Sequence, residues 1–158
     1  MKFVATLIGK KLLEQFLKMN KKQRIGIICG SFDLIHAGYI RMFADAKTNA
    51  CDYLIVALQS DPTLDRSDKN ACVQPVEQRA EILQSISYVD EIILYDTENS
   101  LYDLLEKTEY HVRILGTDYL EKDYTGKNLD PTVYFHKRNH DISTSSIKNK
   151  IVALAKAL

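Results

Sequence analysis

Short apolar runs alternate along the chain with longer segments in which apolar residues recur at helical spacing. Five runs are nearly continuous, as expected of strands covered on both faces: 24–29, 52–58, 89–95, 111–116 and 132–136. Four segments have apolar residues three and four positions apart and predict helices: 37–47, 76–86, 101–107 and 143–157. This alternation predicts an α/β fold, a Rossmann-like doubly wound parallel sheet of about five strands with helices on both faces.

The first 20 residues have a different pattern. Leu12, Leu13, Phe16 and Leu17 repeat at helical spacing among lysines, which predicts an amphipathic helix. We interpret residues 1–20 as a helical extension that docks on its own domain or on a partner subunit, and residues 21–158 as one domain. Binding of this helix to a membrane surface is the alternative interpretation.

Composition narrows the functional classes. The 158 residues include 21 Lys+Arg and 21 Asp+Glu, so the chain has no net charge with which to bind a nucleic-acid polymer. No stretch approaches the roughly 20 apolar residues of a membrane span. Cys29, Cys51 and Cys72 lack metal-site spacing and predict free thiols, as in the reducing cytoplasm. A local cationic pocket for a small phosphate ligand is compatible with this composition.

Sheets of this kind bind ligands at the carboxyl ends of their strands. The polar segments at those ends are 30–38, 59–74, 116–127 and 137–146. In the first segment, Gly30 allows a turn, and the amides near Ser31 and Phe32 can point at a phosphate. His36 immediately precedes the next helix and can donate from its ring to a phosphate oxygen, while Gly38 leaves room for a ligand.

Five motifs carry a resemblance to a known family. Gly-Ser-Phe-Asp-Leu-Ile-His-Ala-Gly-Tyr at 30–39 resembles the G-[TS]-F-D-x-x-H-x-G-H signature of the cytidylyltransferase-like nucleotidyltransferases. Four more follow in the family's order: P-x-E-x-R at 75–79, V-D at 89–90, G-x-D-[YW] at 116–119 and R-x-x-x-I-S-T-[TS]-x-[IL] at 138–147. The whole pattern resembles glycerol-3-phosphate cytidylyltransferase and the adenylyltransferase domain of bacterial ADP-heptose synthesis, and residues 118–126 favour the second.

The resemblance implies a nucleotidyltransferase in which an acceptor attacks a nucleotide α-phosphate in line and pyrophosphate leaves. It implies transfer of CMP from CTP to a small phosphorylated substrate, with Mg²⁺ accompanying the triphosphate, by a homodimer. Transfer of AMP from ATP to a sugar phosphate is the alternative. If the resemblance is set aside, the same pattern of elements also suits a flavodoxin-like binding domain.

The resemblance also implies roles for individual residues. His36 would contact the phosphates, and Ser143 and Thr144 would cap the closing helix and hold the β- or γ-phosphate. Arg138 is a candidate phosphate clamp and Lys69 a candidate catalytic residue; no metal ligand is assigned. The other predicted nucleotide-binding residues are Gly30, Ser31, Phe32, Asp33, Gly38, Arg79, Gly116, Asp118, Ile142 and Ser145. Lys148 and Lys150 are most simply interpreted as the solvated face of the last helix.

Tyr39 stands where the family signature has its second histidine. A phenol donates one hydrogen bond but lacks the positive charge of an imidazolium. Three hypotheses follow. Tyr39 acts as a slower catalytic residue, another cation such as His136 or His140 replaces the histidine, or the site binds nucleotide without turnover.

Overall fold

The computed structural model describes residues 23–65 and 71–157; the predicted helix over residues 1–20 and Lys69 lie outside them. The strands are β1 (Ile25–Gly30), β2 (Tyr53–Gln59), β3 (Glu91–Tyr95), β4 (Val112–Gly116) and β5 (Val133–His136). The helices are α1 (Ala37–Asn49), α2 (Val76–Gln84), α3 (Glu98–Lys107) and α4 (Thr144–Ala155), and a 3₁₀ turn (Thr117–Tyr119) follows β4. Each strand and helix predicted in this part of the chain is present.

The five strands form one parallel sheet in the order β3-β2-β1-β4-β5. From β1 the chain builds the sheet outwards through β2 and β3, then returns to the other side of β1 with β4. Connections therefore leave β1 and β4 in different directions, and this switch point opens a crevice at their carboxyl ends. The predicted Rossmann-like, doubly wound fold is confirmed.

The core has one layer on each face of the sheet. Leu54 and Val56 of β2 pack with Phe43 of α1 and Leu83 of α2 on one face. On the other face, Ile27, Ile55 and Ala57 pack with Leu101 and Leu105 of α3. Alternate residues of one strand thus enter opposite layers, which explains why its sequence is apolar without a polar alternation.

Helix α4 is attached differently from the other helices. None of its residues is buried, and Ile151, Val152 and Leu154 are more than half exposed. Its first turn is joined to the rest of the domain by polar contacts, described below. Among the helices of residues 23–65 and 71–157, none has the length and apolar character of a membrane span.

Candidate functional site

The loop from β1 to α1 is held in an unusual conformation. Phe32 (φ 47°) and Leu34 (φ 48°) both occupy the left-handed region, which residues other than glycine rarely adopt. The Phe32 ring is 2% exposed and packs against Phe43, while the Leu34 amide donates to Gln74 Oε1 at 3.1 Å. Strained residues of this kind persist where the surroundings hold them, and they concentrate at functional sites.

Arg79 ties this loop to the segments beside it. Its side chain is 1% exposed, and Nε donates to the carbonyl of Gln74 at 3.0 Å. Nη1 donates to the carbonyls of Ser31 and Gln59 at 2.6 and 2.7 Å, and Nη2 donates to that of Ser60. Four of its five N–H groups are thereby used on the backbone. The sequence did not indicate this structural role, and a contact between Arg79 and the nucleotide stays a prediction.

Asp33 connects the β1–α1 loop to the segment before α2 and to helix α4. Its carboxylate is 4% exposed, accepts from the amides of Val73 and Gln74 at 3.0 and 3.1 Å, and pairs with Lys148 Nζ at 2.8 Å. Burial alone would raise the pKa of Asp33, but the hydrogen bonds from Lys148 and the two amides outweigh it and hold the pKa below its ordinary value. Lys148 is therefore partly buried and ion-paired, so its interpretation as part of a solvated helix face is wrong, whereas Lys150 is exposed as expected. Nucleotide binding by Asp33 stays a prediction.

Replacing Lys148 by methionine is expected to lower the free energy of unfolding at pH 7 by about 1–3 kcal/mol, because a buried carboxylate loses its charged donor. The pKa of Asp33 is depressed in the folded chain, so the stabilisation is present above about pH 4 and is lost as the pH falls through the folded pKa. Urea denaturation at pH 7, 5 and 3 measures this difference. Lys150→Met, at an exposed lysine of the same helix, is the matched control. A similar loss in both variants would contradict a role for the ion pair.

Tyr39 joins the first turn of α4 to the β1–α1 loop. Thr144 Oγ1 donates its only hydrogen to the carbonyl of Asp33 at 2.9 Å, so the Tyr39 hydroxyl, 3.4 Å away, is the donor in its bond to Thr144. The Tyr39 ring stacks on His36 with ring centroids 4.4 Å apart and planes at 21°. Burial raises the pKa of Tyr39, so the phenol is neutral at pH 7. Tyr39 positions its neighbours and supplies no charge.

His36 caps helix α1 with its own ring. Nδ1 accepts from the amide of Gly38 at 3.1 Å, so the hydrogen of the neutral ring is on Nε2. Burial first, and then the charges of His140 and Arg138, hold the pKa of His36 below its ordinary value of 6.5. At pH 7 the ring is therefore a neutral Nε2–H donor, fixed in orientation by the Gly38 amide and by Tyr39.

The N-terminus of α4 offers backbone donors. Ser143 Oγ accepts from the amide of Ser146 at 3.1 Å and Ser146 Oγ accepts from the amide of Ser143 at 3.0 Å, a capping box. The predicted capping is confirmed for Ser143 and is wrong for Thr144, which is the first residue of the helix and whose hydroxyl donates to the carbonyl of Asp33. The amides of Thr144 and Ser145 precede the first bond of the helix, from the Ile147 amide to the Ser143 carbonyl, and lie at its positive end. The Thr144 hydroxyl donates its one hydrogen to the carbonyl of Asp33, so the donor that Thr144 could offer to a ligand is its backbone amide.

These groups meet in one narrow cleft at the carboxyl ends of β1, β4 and β5. The predicted site residues that line it are His36, Gly38, Tyr39, Gly116, Arg138, Ile142, Ser143 and Thr144. His136 and His140 line it as well. Gly30, Ser31, Phe32, Asp33 and Arg79 lie in or behind the loop that shapes it, Asp118 and Ser145 are exposed beside it, and Lys69 is outside the described residues. Binding of a nucleotide in this cleft stays a prediction.

A larger and more open groove lies between β3 and α3, against Leu94, Asp96 and Lys107. None of the residues predicted to bind nucleotide lines it. We therefore place the candidate site at the narrow cleft, where histidines and two helix N-termini converge.

Within 23–65 and 71–157, no three histidine, cysteine, aspartate or glutamate side chains are grouped so as to hold a metal ion. The carboxylate of the β1–α1 loop, Asp33, is engaged by Lys148 and two amides. Binding of Mg²⁺ together with the triphosphate stays a prediction.

Comparison with known proteins decides the family. The model of the cytidylyltransferase-like family matches residues 27–150, which include the β1–α1 loop and most of α4. The chain belongs to the cytidylyltransferase-like family. The match confirms the resemblance on which the sequence prediction rests, and this family is one of nucleotidyltransferases.

Several curated relatives of this cytidylyltransferase-like chain are described as bifunctional protein HldE. The protein from Campylobacter jejuni is 32% identical over 152 residues, 96% of this chain and 32% of the relative. That from Helicobacter pylori is 32% identical over 141 residues, 88% of this chain and 30% of the relative. The chain thus spans about a third of the length of these two relatives.

Among solved structures, the lipopolysaccharide core biosynthesis protein from Thermoplasma volcanium has the same fold. The TM-score is 0.61 at 18% sequence identity, and the match covers 75% of this chain and all of that protein. At this identity the likeness establishes the fold alone, which agrees with the five-stranded parallel sheet of this cytidylyltransferase-like chain.

Proposed function

We propose that this chain transfers a nucleotidyl group from a nucleoside triphosphate to a sugar phosphate and releases pyrophosphate. One observation carries the proposal. The Nε2–H of His36, the N-terminal end of α4 and Arg138 all line a single cleft at the switch point of a nucleotidyltransferase fold. Backbone amides at a helix N-terminus and fixed N–H donors are the groups that bind phosphate in proteins.

The reaction that suits this arrangement needs no covalent enzyme intermediate. An oxygen of the acceptor phosphate attacks the α-phosphorus of the nucleotide. The bond between the α-phosphorus and the oxygen that bridges it to the β-phosphorus breaks, and pyrophosphate leaves with the electron pair of that bond. The donors then act by positioning the triphosphate and by neutralising charge that builds on its oxygens. We assign that role to His36, the α4 amides and Arg138, with Tyr39 holding His36 in place.

The base and the acceptor are finer points of the same proposal. CMP is the nucleotidyl group that the family resemblance implies. The resemblance of residues 118–126 to the ADP-heptose branch favours the alternative, transfer of AMP to a sugar phosphate. A homodimer, and Mg²⁺ bound to the triphosphate, belong to the proposal in either case.

A nucleotide panel tests the proposal. Thermal unfolding with CTP or ATP plus Mg²⁺ should show one nucleotide raising the melting temperature, because a ligand that binds the folded state stabilises it. Pyrophosphate release should then require that nucleotide together with an acceptor, tested with sugar 1-phosphates and glycerol 3-phosphate. Binding without turnover in the native chain, but turnover in Tyr39→His, would identify a nucleotide-binding module instead.

A further inference from the structure

Two histidines in the cleft are held in the same way. His36 Nδ1 accepts the amide of Gly38 at 3.1 Å, and His140 Nδ1 accepts the amide of Ile142 at 3.3 Å, each two residues further along the chain. In both neutral rings the hydrogen must therefore be on Nε2. The backbone fixes two imidazoles as Nε2–H donors, one from the β1–α1 loop and one from the segment before α4.

The two rings meet at Gly38. A Cβ atom on Gly38 would lie 2.6 Å from His140 Cε1 and 2.9 Å from His36 Cε1, so both rings contact this backbone position. Both rings also line the cleft, so the two imidazoles lie side by side at its wall. Gly38 is buried at the start of α1, and the absence of a side chain there allows both rings to approach.

The donor of His140 has no partner among the residues that the structure describes. Nε2 is shielded from solvent and makes no hydrogen bond with any residue in 23–65 or 71–157. A buried donor without an acceptor reduces the stability of the folded chain by about 1–3 kcal/mol, so a ligand that offers an acceptor would bind favourably there. An acceptor oxygen that enters the cleft would remove this cost.

The charges around the two rings favour an anion. Arg138 lies close enough to His36 to lower its pKa, and no carboxylate side chain lines the described part of the cleft. Nε2 of His136, on the cleft wall, is also without a partner among the described residues, but Nδ1 of this ring lies 2.6 Å from a carboxylate oxygen of Asp45. No carboxylate of the described residues pairs with His140, so a phosphate is the group that suits its donor.

We infer that His140 is a second phosphate-binding imidazole, donating from Nε2 to the same phosphate group as His36. It supplies the donor that Tyr39 cannot, since the Tyr39 hydroxyl donates to Thr144. The assignment rests on the proposed function, because it takes the phosphates of the nucleotide as the ligand.

Imidazole signals provide the first test. The chain has four histidines, and replacing each in turn assigns their Cε1–H signals in ¹H–¹³C spectra. Inorganic tripolyphosphate is added to the native protein. The signals of His36 and His140 should shift together, at the same concentration, while that of His111, which accepts the Ile25 amide at the other end of the sheet, stays in place. A shift of His36 without His140 would overturn the inference.

Substitution provides the second test. His140→Asn keeps a side-chain acceptor for the Ile142 amide and removes the Nε2–H. Calorimetry should show the magnesium complex of the preferred nucleotide bound about 10- to 100-fold more weakly, the loss expected for one hydrogen bond to a charged group. His111→Asn is the control and should bind within about twofold of the native chain.

The outcomes separate this inference from the proposed function. If the native chain binds nucleotide and releases pyrophosphate but His140→Asn binds equally well, the inference alone is wrong. If no nucleotide binds and no imidazole signal shifts with tripolyphosphate, both are wrong. Should His140→Asn fail to fold, the other three replacements assign the His140 signal by elimination, and the spectra of the native protein still decide.

Discussion

Replacing Arg79 by methionine is expected to destabilise the domain by about 3–5 kcal/mol, one of the largest losses that a single substitution produces. Methionine fills part of the space but donates no hydrogen bond. Four backbone carbonyls, two of them at Gln59 and Ser60 where β2 ends, would lose their donor inside the protein. Each unsatisfied buried acceptor costs about 1–3 kcal/mol, reduced where water can enter. Urea denaturation followed by circular dichroism measures the change.

Two variants make that experiment specific. Arg41→Met removes an exposed arginine from α1 and should change the free energy of unfolding by no more than about 0.5 kcal/mol. Arg79→Lys keeps the charge but cannot reach four carbonyls, and it should recover less than half of the loss. If Arg79→Met were as stable as Arg41→Met, the guanidinium would not be what joins the β1–α1 loop to the end of β2.

Replacing His36 by asparagine is expected to lower kcat about 10²- to 10³-fold with little change in stability, the loss typical of removing one donor to a developing charge. Asparagine is among the best helix caps, and its side-chain oxygen can accept the Gly38 amide as Nδ1 does. The Nε2–H is lost. Pyrophosphate release at saturating nucleotide, compared with the melting temperature of the same sample, separates the two effects.

The control for His36→Asn is the same exchange at His111, whose Nδ1 also accepts a backbone amide, that of Ile25 at 3.1 Å. That variant should turn over at the native rate because the amino ends of the strands lie away from the cleft. A kcat within tenfold of the native value in His36→Asn, with its fold intact, would show that another group carries the charge of the transition state.

The fold followed from local patterns. Runs such as 52–58 are apolar throughout because both faces of the sheet are covered, and helical segments such as 37–47 repeat their apolar residues on one face. Glycines, prolines and polar loops then marked the ends of the elements. In such a sheet the carboxyl ends of the strands meet at one edge, so the position of the cleft could be predicted as well.

The partners of individual side chains could not be predicted in the same way. Arg79 contacts carbonyls up to 48 residues away in the sequence. Lys148, which its spacing places on a helix near the end of the sequence, pairs with Asp33 of the β1–α1 loop. Spacing describes one element, whereas these contacts depend on how separate elements pack. His136 and His140 were both candidates in sequence, and in both rings Nε2 is buried without a partner among the described residues. The contact of His136 Nδ1 with Asp45 is what distinguishes them.

The bond from Thr144 to the carbonyl of Asp33 spans 111 residues. During translation the sheet residues from β1 to β4 emerge well before α4, and domains begin to organise as they are synthesised. The two ends of the cleft meet only once residues 144–148 have left the ribosome, so a nascent chain that lacks them has no closed cleft. A ligand that needs both ends of the cleft would therefore stabilise the finished domain and not its early folding.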